Sequence, residues 1–198
     1  MKLYDLTLSG NCYKVRLFLS LIDQPVELVP VNLFEGEHKQ AQFLAINPRG
    51  QVPALEDGTF RLGDSQAILV YLARRYADSA WSPLDAQTQG RIAGWLSFAA
   101  NEIHHGPATA RLGKLFGRPV DQALAESRAL SVLKVLERHL ARHAWLAEGT
   151  APTIADIAVY PSVALAAEGG IDLAPYPALQ AWFGRIRALP GYIGMPGL

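Results

Sequence analysis

Strand-like and helix-like stretches alternate in this chain only as far as about residue 76; beyond it, every patterned segment has helical spacing. This switch constrains the fold more than any single motif does. Alternating β and α elements build a layered sheet-and-helix unit, whereas consecutive helices build a bundle. Residues 2–6 read as a strand, 13–22 as a helix with Val15, Phe18, Leu19 and Ile22 on one face, and 26–31 as a second strand. A short helix is expected over 38–45. The stretch VPALE, an Asp57-Gly58 turn and TFRL then read as a hairpin, and Asp64 or Ser65 can cap a helix over 66–75. The expected order is β-α-β-α-β-β-α.

Residues 77–86 lose periodicity and contain a proline, which makes them the expected linker between a domain at 1–76 and a helical one at 87–198. Helical spacing recurs over 87–112, 121–143, 153–167 and 178–188, broken by Gly106-Pro107, Gly117-Arg118-Pro119, Gly169-Gly170 and Pro175-Tyr176-Pro177. A length of 198 residues suits two small domains sharing an interface.

Charge and cysteine content narrow the function. Eighteen basic residues offset 18 acidic ones, so no broad positive field draws the chain to nucleic acid or to an anionic membrane. The single thiol, Cys12, can form no internal disulfide and no four-cysteine zinc site, which fits a reducing, cytoplasmic compartment. The N-terminal segment lacks the apolar core of a signal peptide, and no apolar run approaches the roughly 18 residues of a membrane span. The expected partners are small molecules or another protein.

Three segments carry chemistry. Ser9-Gly10-Asn11-Cys12 lies between the first strand and the first helix, where free backbone N–H groups stabilise an anion such as a thiolate; Ser9 and Asn11 can equally serve as helix caps. A dithiol redox motif needs Cys-x-x-Cys, and here its first position is Ser. In Asn47-Pro48-Arg49-Gly50-Gln51-Val52-Pro53, Pro53 belongs at a strand edge or bend, where a cis peptide would present Val52 N–H and C=O to a ligand. Asp64 and Ser65, at a helix N-terminus, suit the ammonium and carboxylate of an α-amino acid head group, besides capping the helix.

In this order and spacing, these segments resemble the cytosolic-type bacterial glutathione S-transferases, of the Ser-type, theta/phi/beta-like kind. The resemblance runs through SGNCYKVR, HKQAQFLAINPRGQVPALED, LGDSQAILVYLARRY, APTIADIAVYP and YPALQAWFGRIRALPGY. It implies a thioredoxin-like β-α-β-α-β-β-α domain followed by an all-helical bundle domain, glutathione as co-substrate, no metal, no nucleotide, a homodimer and a small electrophile as second substrate. Ser9 falls where the family places the hydroxyl that hydrogen-bonds the glutathione thiolate, and Asn11 is its rival for that role. The resemblance further implies that Val52, before a cis Pro53, pairs with the cysteinyl backbone, and that Asp64 and Ser65 hold the γ-glutamyl head. Lys39, His38 and Gln51 match positions at the glycyl end. The family more often has Glu where Asp64 stands.

The electrophile is expected between the domains, near Trp95, Phe98, Asn101, His104, His105, Arg111 and Leu112, with Phe98, Asn101, His105 and Arg111 the favoured set. His104 and His105 are consecutive and, about 100° apart on a helix, cannot face one metal. The reaction expected is attack by glutathione thiolate on an electrophilic carbon or on a peroxide. Two alternatives stay open. A Cys12 thiolate of depressed pKa at the helix N-terminus would form mixed disulfides with glutathione, although inert packing on the buried side of the helix is the favoured reading of Cys12, or the fold would bind ligands without turnover. Thr153 and Asp156 fit a capping box, which assigns Asp156 to folding.

Overall fold

The structure, a computed structural model, describes residues 1–198. Strand β1 (Lys2–Asp5) turns Leu3 and Asp5 inward, and the apolar face of α1 (Gly10–Leu21) buries Val15, Leu17, Phe18 and Leu19. Asp5 is neutralised by Arg16 of that helix. β2 (Glu27–Pro30) pairs in parallel with β1, as a β-α-β unit requires. A 3-10 turn at Glu37–Lys39 and the one-turn helix α2 (Ala41–Leu44) occupy the place of the single helix expected over 38–45; Gln40 is extended between them (φ −75°, ψ 151°).

β3 (Ala54–Asp57) runs antiparallel to β1, and β4 (Phe60–Gly63) closes the hairpin, giving the mixed sheet β2-β1-β3-β4. α3 (Ser65–Arg75) follows directly. The expected β-α-β-α-β-β-α order is therefore present.

The second part is helical throughout. α4 (Ala86–Phe98), capped by Asp85, does not stop but continues as a looser, π-type winding over Ala99–Ala108 into α5 (Thr109–Phe116). Pro107 has no N–H to donate, and Gly106 leaves helical geometry (φ −99°, ψ −107°), so the expected break there is a kink inside one long rod. A Cβ on Gly106 would stand 3.0 Å from Ala129 N, so the absent side chain lets this rod press against α6 (Gln122–Leu140). α7 (Ile154–Ala164) is buried on every side and is the central helix of the bundle; α8 (Pro177–Arg187) packs outside it.

One continuous apolar core joins the two parts, running from Leu3, Phe18 and Leu69 to Ile157, Tyr160 and Trp182. Asp156 sits fully buried within it. Its carboxylate accepts N–H groups from Thr153 (2.9 Å), Leu146 (3.0 Å) and the Trp182 indole (3.0 Å), so the expected capping box is formed and also bolts α7 to α8. No helix is long and apolar enough to cross a membrane.

Candidate active site

α1 begins at Gly10, three residues before the expected position, because Ser9 in extended geometry (φ −79°, ψ 120°) caps it. Ser9 Oγ accepts the Cys12 N–H at 3.3 Å and fronts a cavity of about 730 Å³ between the sheet domain and the helical bundle. Asn11 is beside it, its Oδ1 taken by Lys14 Nζ at 3.1 Å. The first helical turn adds its unpaired N–H groups and the positive end of the helix dipole.

Cys12 is turned the other way. It is fully buried, Leu6 N–H donates to its Sγ at 3.4 Å, and burial pushes its pKa up to about 12 against the weaker pull of the Ser9 contact. The alternative of a depressed thiol pKa at this helix terminus is corrected, since desolvation outweighs the dipole once the side chain faces the core; an inert, packed Cys12 on the buried side of the helix is what the structure has.

The opposite wall is built by Gln51, Val52 and Pro53. The Val52-Pro53 peptide is cis, and neither the N–H nor the C=O of Val52 enters the chain's turn and loop hydrogen bonds. Asp64 adopts φ 76°, which is unusual for a residue with a side chain, while its Oδ1 caps α3 by accepting the N–H groups of Gln66 (3.0 Å) and Ala67 (3.1 Å). Its Oδ2 lies 3.5 Å from Arg49. Ser65 is buried beside it, its hydroxyl donating to Gln66 Oε1 at 2.6 Å.

Lys39 lines the same cavity and donates to Gly50 O at 3.1 Å; His38, also on the wall, has a buried Nδ1 with no partner. Partial burial, then the charges of Lys39 and Arg118, hold His38 below the usual histidine range. The residues expected at Ser9, Asn11, His38, Lys39, Gln51, Val52, Pro53, Asp64 and Ser65 thus surround one space.

The helical side agrees less well with the sequence reading. His105 and Arg111 line the cavity, together with His104 and Leu112, but Phe98 and Asn101 do not; they line a second groove of about 550 Å³ against α6, on which His105 also borders. Between Phe98 and Arg111 the helix winds in π fashion over Ala99–Ala108, with more residues per turn than an α-helix, so α-helical spacing does not carry one face through this stretch. Arg111 is buried and mostly committed: Nη1 donates to Leu8 O (2.8 Å), Nε pairs with Glu168 (2.5 Å), and only Nη2 lacks a partner.

Sequence reasoning misses several wall residues. Arg49 stands in the N-P-R-G segment and Arg118 between a helix-breaking Gly and Pro, where both look like punctuation; Leu33, Ala108, Phe116 and Leu165 carry no signal of their own. Lys14, which lies behind the wall rather than on it, is detectable as a cation among the apolar residues on the buried face of α1.

His139, His143 and Glu148 offer ligand atoms within 4.8 Å of one another. The imidazoles are stacked at 28°, which directs their in-plane lone pairs side by side, and Glu148 is paired with Arg91 at 3.1 Å. His139 Nε2 is also engaged, at 3.0 Å from Leu146 O. This arrangement is poor for a metal.

Comparison with known proteins gives a consistent answer. Residues 3–80 match the family described as "Glutathione S-transferase, N-terminal domain", and residues 114–190 match "Glutathione S-transferase, C-terminal domain". The chain is 36% identical to "Glutathione S-transferase 3" of Zea mays over 97% of its own length and 91% of that protein's. It is 32% identical to "Maleylpyruvate isomerase" of a Ralstonia species, over 91% of this chain and 89% of the relative. Among solved structures, a glutathione S-transferase from Pseudomonas fluorescens superposes with a TM-score of 0.91 at 35% identity, covering 98% of both chains.

Proposed function

Because the chain belongs to the glutathione S-transferase family, we propose that its inter-domain cavity binds glutathione along the sheet domain, with the thiol at the N-terminus of α1 and the electrophile against the helical domain. Glutathione supplies the reacting thiol; the chain ionises and aims it. Ser9 Oγ already accepts one hydrogen bond from Cys12, so its own proton is free to be donated to sulfur. Asn11, with Oδ1 held by Lys14, has its NH₂ group left for the same purpose. Together with the helix N-terminus, these donors favour the thiolate at neutral pH.

The unused backbone of Val52 would pair with the cysteinyl unit. Asp64 Oδ2 would receive the γ-glutamyl ammonium and the start of α3 at Ser65 its carboxylate, while Lys39, His38 and Gln51 serve the glycyl end. At the other end Leu33, Ala108, Leu112 and Phe116 offer an apolar surface to the electrophile, with His105 and Arg111 at its margin. The observation that carries this reading is that Ser9, Asn11, the free Val52 backbone and the Asp64-Ser65 helix start all face one cavity.

Calorimetric titration with glutathione, followed by conjugation to a chlorodinitrobenzene and reduction of an organic hydroperoxide, tests the proposal. Saturable binding with turnover on either substrate is expected; absence of glutathione binding would overturn it. A second reading takes the Ralstonia relative's name as a guide. Arg118 and the unpartnered Arg111 Nη2 add positive character to the electrophile end and favour an anionic second substrate, with isomerisation of maleylpyruvate as the test reaction. We also propose a cytoplasmic homodimer, whose interface would cover the half-exposed Phe60 and Val70 on β4 and α3.

A further inference from the structure

Lys14 is a fully buried cation of α1 to which the proposed chemistry gives no role of its own. It is only 2% exposed and lies on the helix face that also buries Val15, Leu17 and Phe18. Its ammonium donates to Asn11 Oδ1 at 3.1 Å and to Ser65 Oγ at 3.2 Å, two neutral acceptors, and it belongs to none of the chain's ion pairs. A buried cation held only by neutral partners is costly, and its charge calls for a counter-charge close by. Burial draws its pKa down to about 8, with Asp64 and Cys12 opposing.

Both partners of Lys14 line the cavity. Ser65 begins α3, where N–H groups without intrahelical partners favour an anion, and Lys14 stands directly behind its hydroxyl. On the other side, an ammonium can only donate, so the Asn11 amide must turn its oxygen toward Lys14 and keep its NH₂ for other partners.

We propose that Lys14 is a positioning residue of the glutathione site whose missing counter-charge is the γ-glutamyl α-carboxylate of the bound tripeptide, presented to it through Ser65. This rests on the reading that the cavity binds glutathione. Lys14 thereby links the two ends of the recognition surface: its charge favours the anionic head group at Ser65, and its hydrogen bond sets the donor orientation of Asn11 beside the sulfur. In the apo protein the Asp64 carboxylate offsets the charge from a distance, with no direct ion pair, and ligand binding relieves the remaining cost.

The test is a cycle of two ligands against three proteins: wild type, K14M and K14R. The ligands are glutathione and its analogue in which the γ-glutamyl α-carboxylate is replaced by hydrogen. For K14M, apo thermal stability equal to or above wild type is expected, with glutathione Kd raised about tenfold, a typical loss for one charge-assisted contact. The analogue, which keeps, of the two ends that Lys14 links, only the thiol end that Asn11 serves, should lose markedly less on K14M than glutathione does, and K14R should recover much of the preference for the carboxylate. Loss of the same factor for both ligands, or no loss for either, would overturn the assignment. K14Q, which keeps a hydrogen-bond donor without the charge, is read in the same way if K14M does not fold. Wild type that binds no glutathione would strike the underlying reading; normal wild-type binding with a ligand-independent loss in K14M would strike Lys14 alone.

Discussion

Ser9 Oγ accepts the Cys12 N–H at 3.3 Å, so the residue that starts α1 also fronts the cavity while the chain's only thiol is directed into the core. Of the two, only Ser9 lines the cavity. A capping side chain lies outside the first turn; the residue whose N–H it accepts lies inside the helix, and here that residue, Cys12, falls on the buried side of α1.

Ser9→Ala should lower turnover roughly tenfold to a hundredfold with a smaller change in KM, since a donor to developing negative charge acts mainly in the transition state. The pH–rate profile should shift to higher pH as the bound thiol becomes harder to ionise. Asn11→Ala, measured beside it, shows how the two residues share the work, because whichever variant moves the profile more has lost the main donor to sulfur. The lost cap should also cost about 1 kcal/mol of stability in S9A.

Cys12→Ala should leave conjugation and its pH profile near wild type, because a thiol held up to about 12 by burial is protonated throughout the working range. Iodoacetamide should leave Cys12 unmodified in the native protein and alkylate it in urea, as read by mass spectrometry. A glutathione adduct on native Cys12 would revive the thiol-transfer mechanism.

Asp156 links pH to folding. Burial raises its pKa from 3.8 to about 6, so between those values the folded chain holds the proton more tightly than the unfolded chain does. Its contribution to stability is therefore fully present below about pH 3.8 and lost as pH rises through about 6, a change of about 3 kcal/mol for a group buried this completely. Asp156→Asn should flatten this part of the stability–pH curve in urea titrations. Asp156→Ala strands the N–H groups of Thr153, Leu146 and Trp182 and should cost about 3 kcal/mol or more, with the pH dependence of turnover unmoved.

Phe60 stacks on Tyr71 with ring centroids 4.6 Å apart and remains 43% exposed. Phe60→Glu should shift sedimentation from dimer toward monomer if this face is the subunit interface; unchanged sedimentation would move the interface elsewhere.

The sheet domain is legible in the sequence because its elements are short and each has a distinct period or turn signal. The Asp57-Gly58 hairpin, the start of α3 after Asp64 and the bend at Pro53 all rest on residues whose backbone preferences are strong. α1 is legible as a helix but not at its start, since Gly10 and Asn11 are weak helix formers placed there by the Ser9 cap. The helical wall of the cavity is legible only in part: His104, His105, Arg111 and Leu112 line it, whereas Phe98 and Asn101 do not. Phe98 and Asn101 have the spacing of cavity residues on an uninterrupted α-helix, but the winding loosens from Ala99 on, so that one α-helical face does not run through to His105 and Arg111, and Phe98 and Asn101 line another groove. Arg111 can be found as a cavity residue, yet its ties to Leu8 and Glu168 depend on contacts made across 103 and 57 residues of chain.

That tie to Leu8 limits how freely the two halves can be exchanged. Arg111, from the helical half, grips the backbone one residue before Ser9, and the apolar core continues across the boundary. A chimera that borrows a foreign bundle to acquire a new electrophile preference would inherit a different grip on the Ser9 loop. Its rate constant would change together with its specificity, and the remedy would be to transplant Arg111, Glu168 and the loop from 6 to 9 as one cassette.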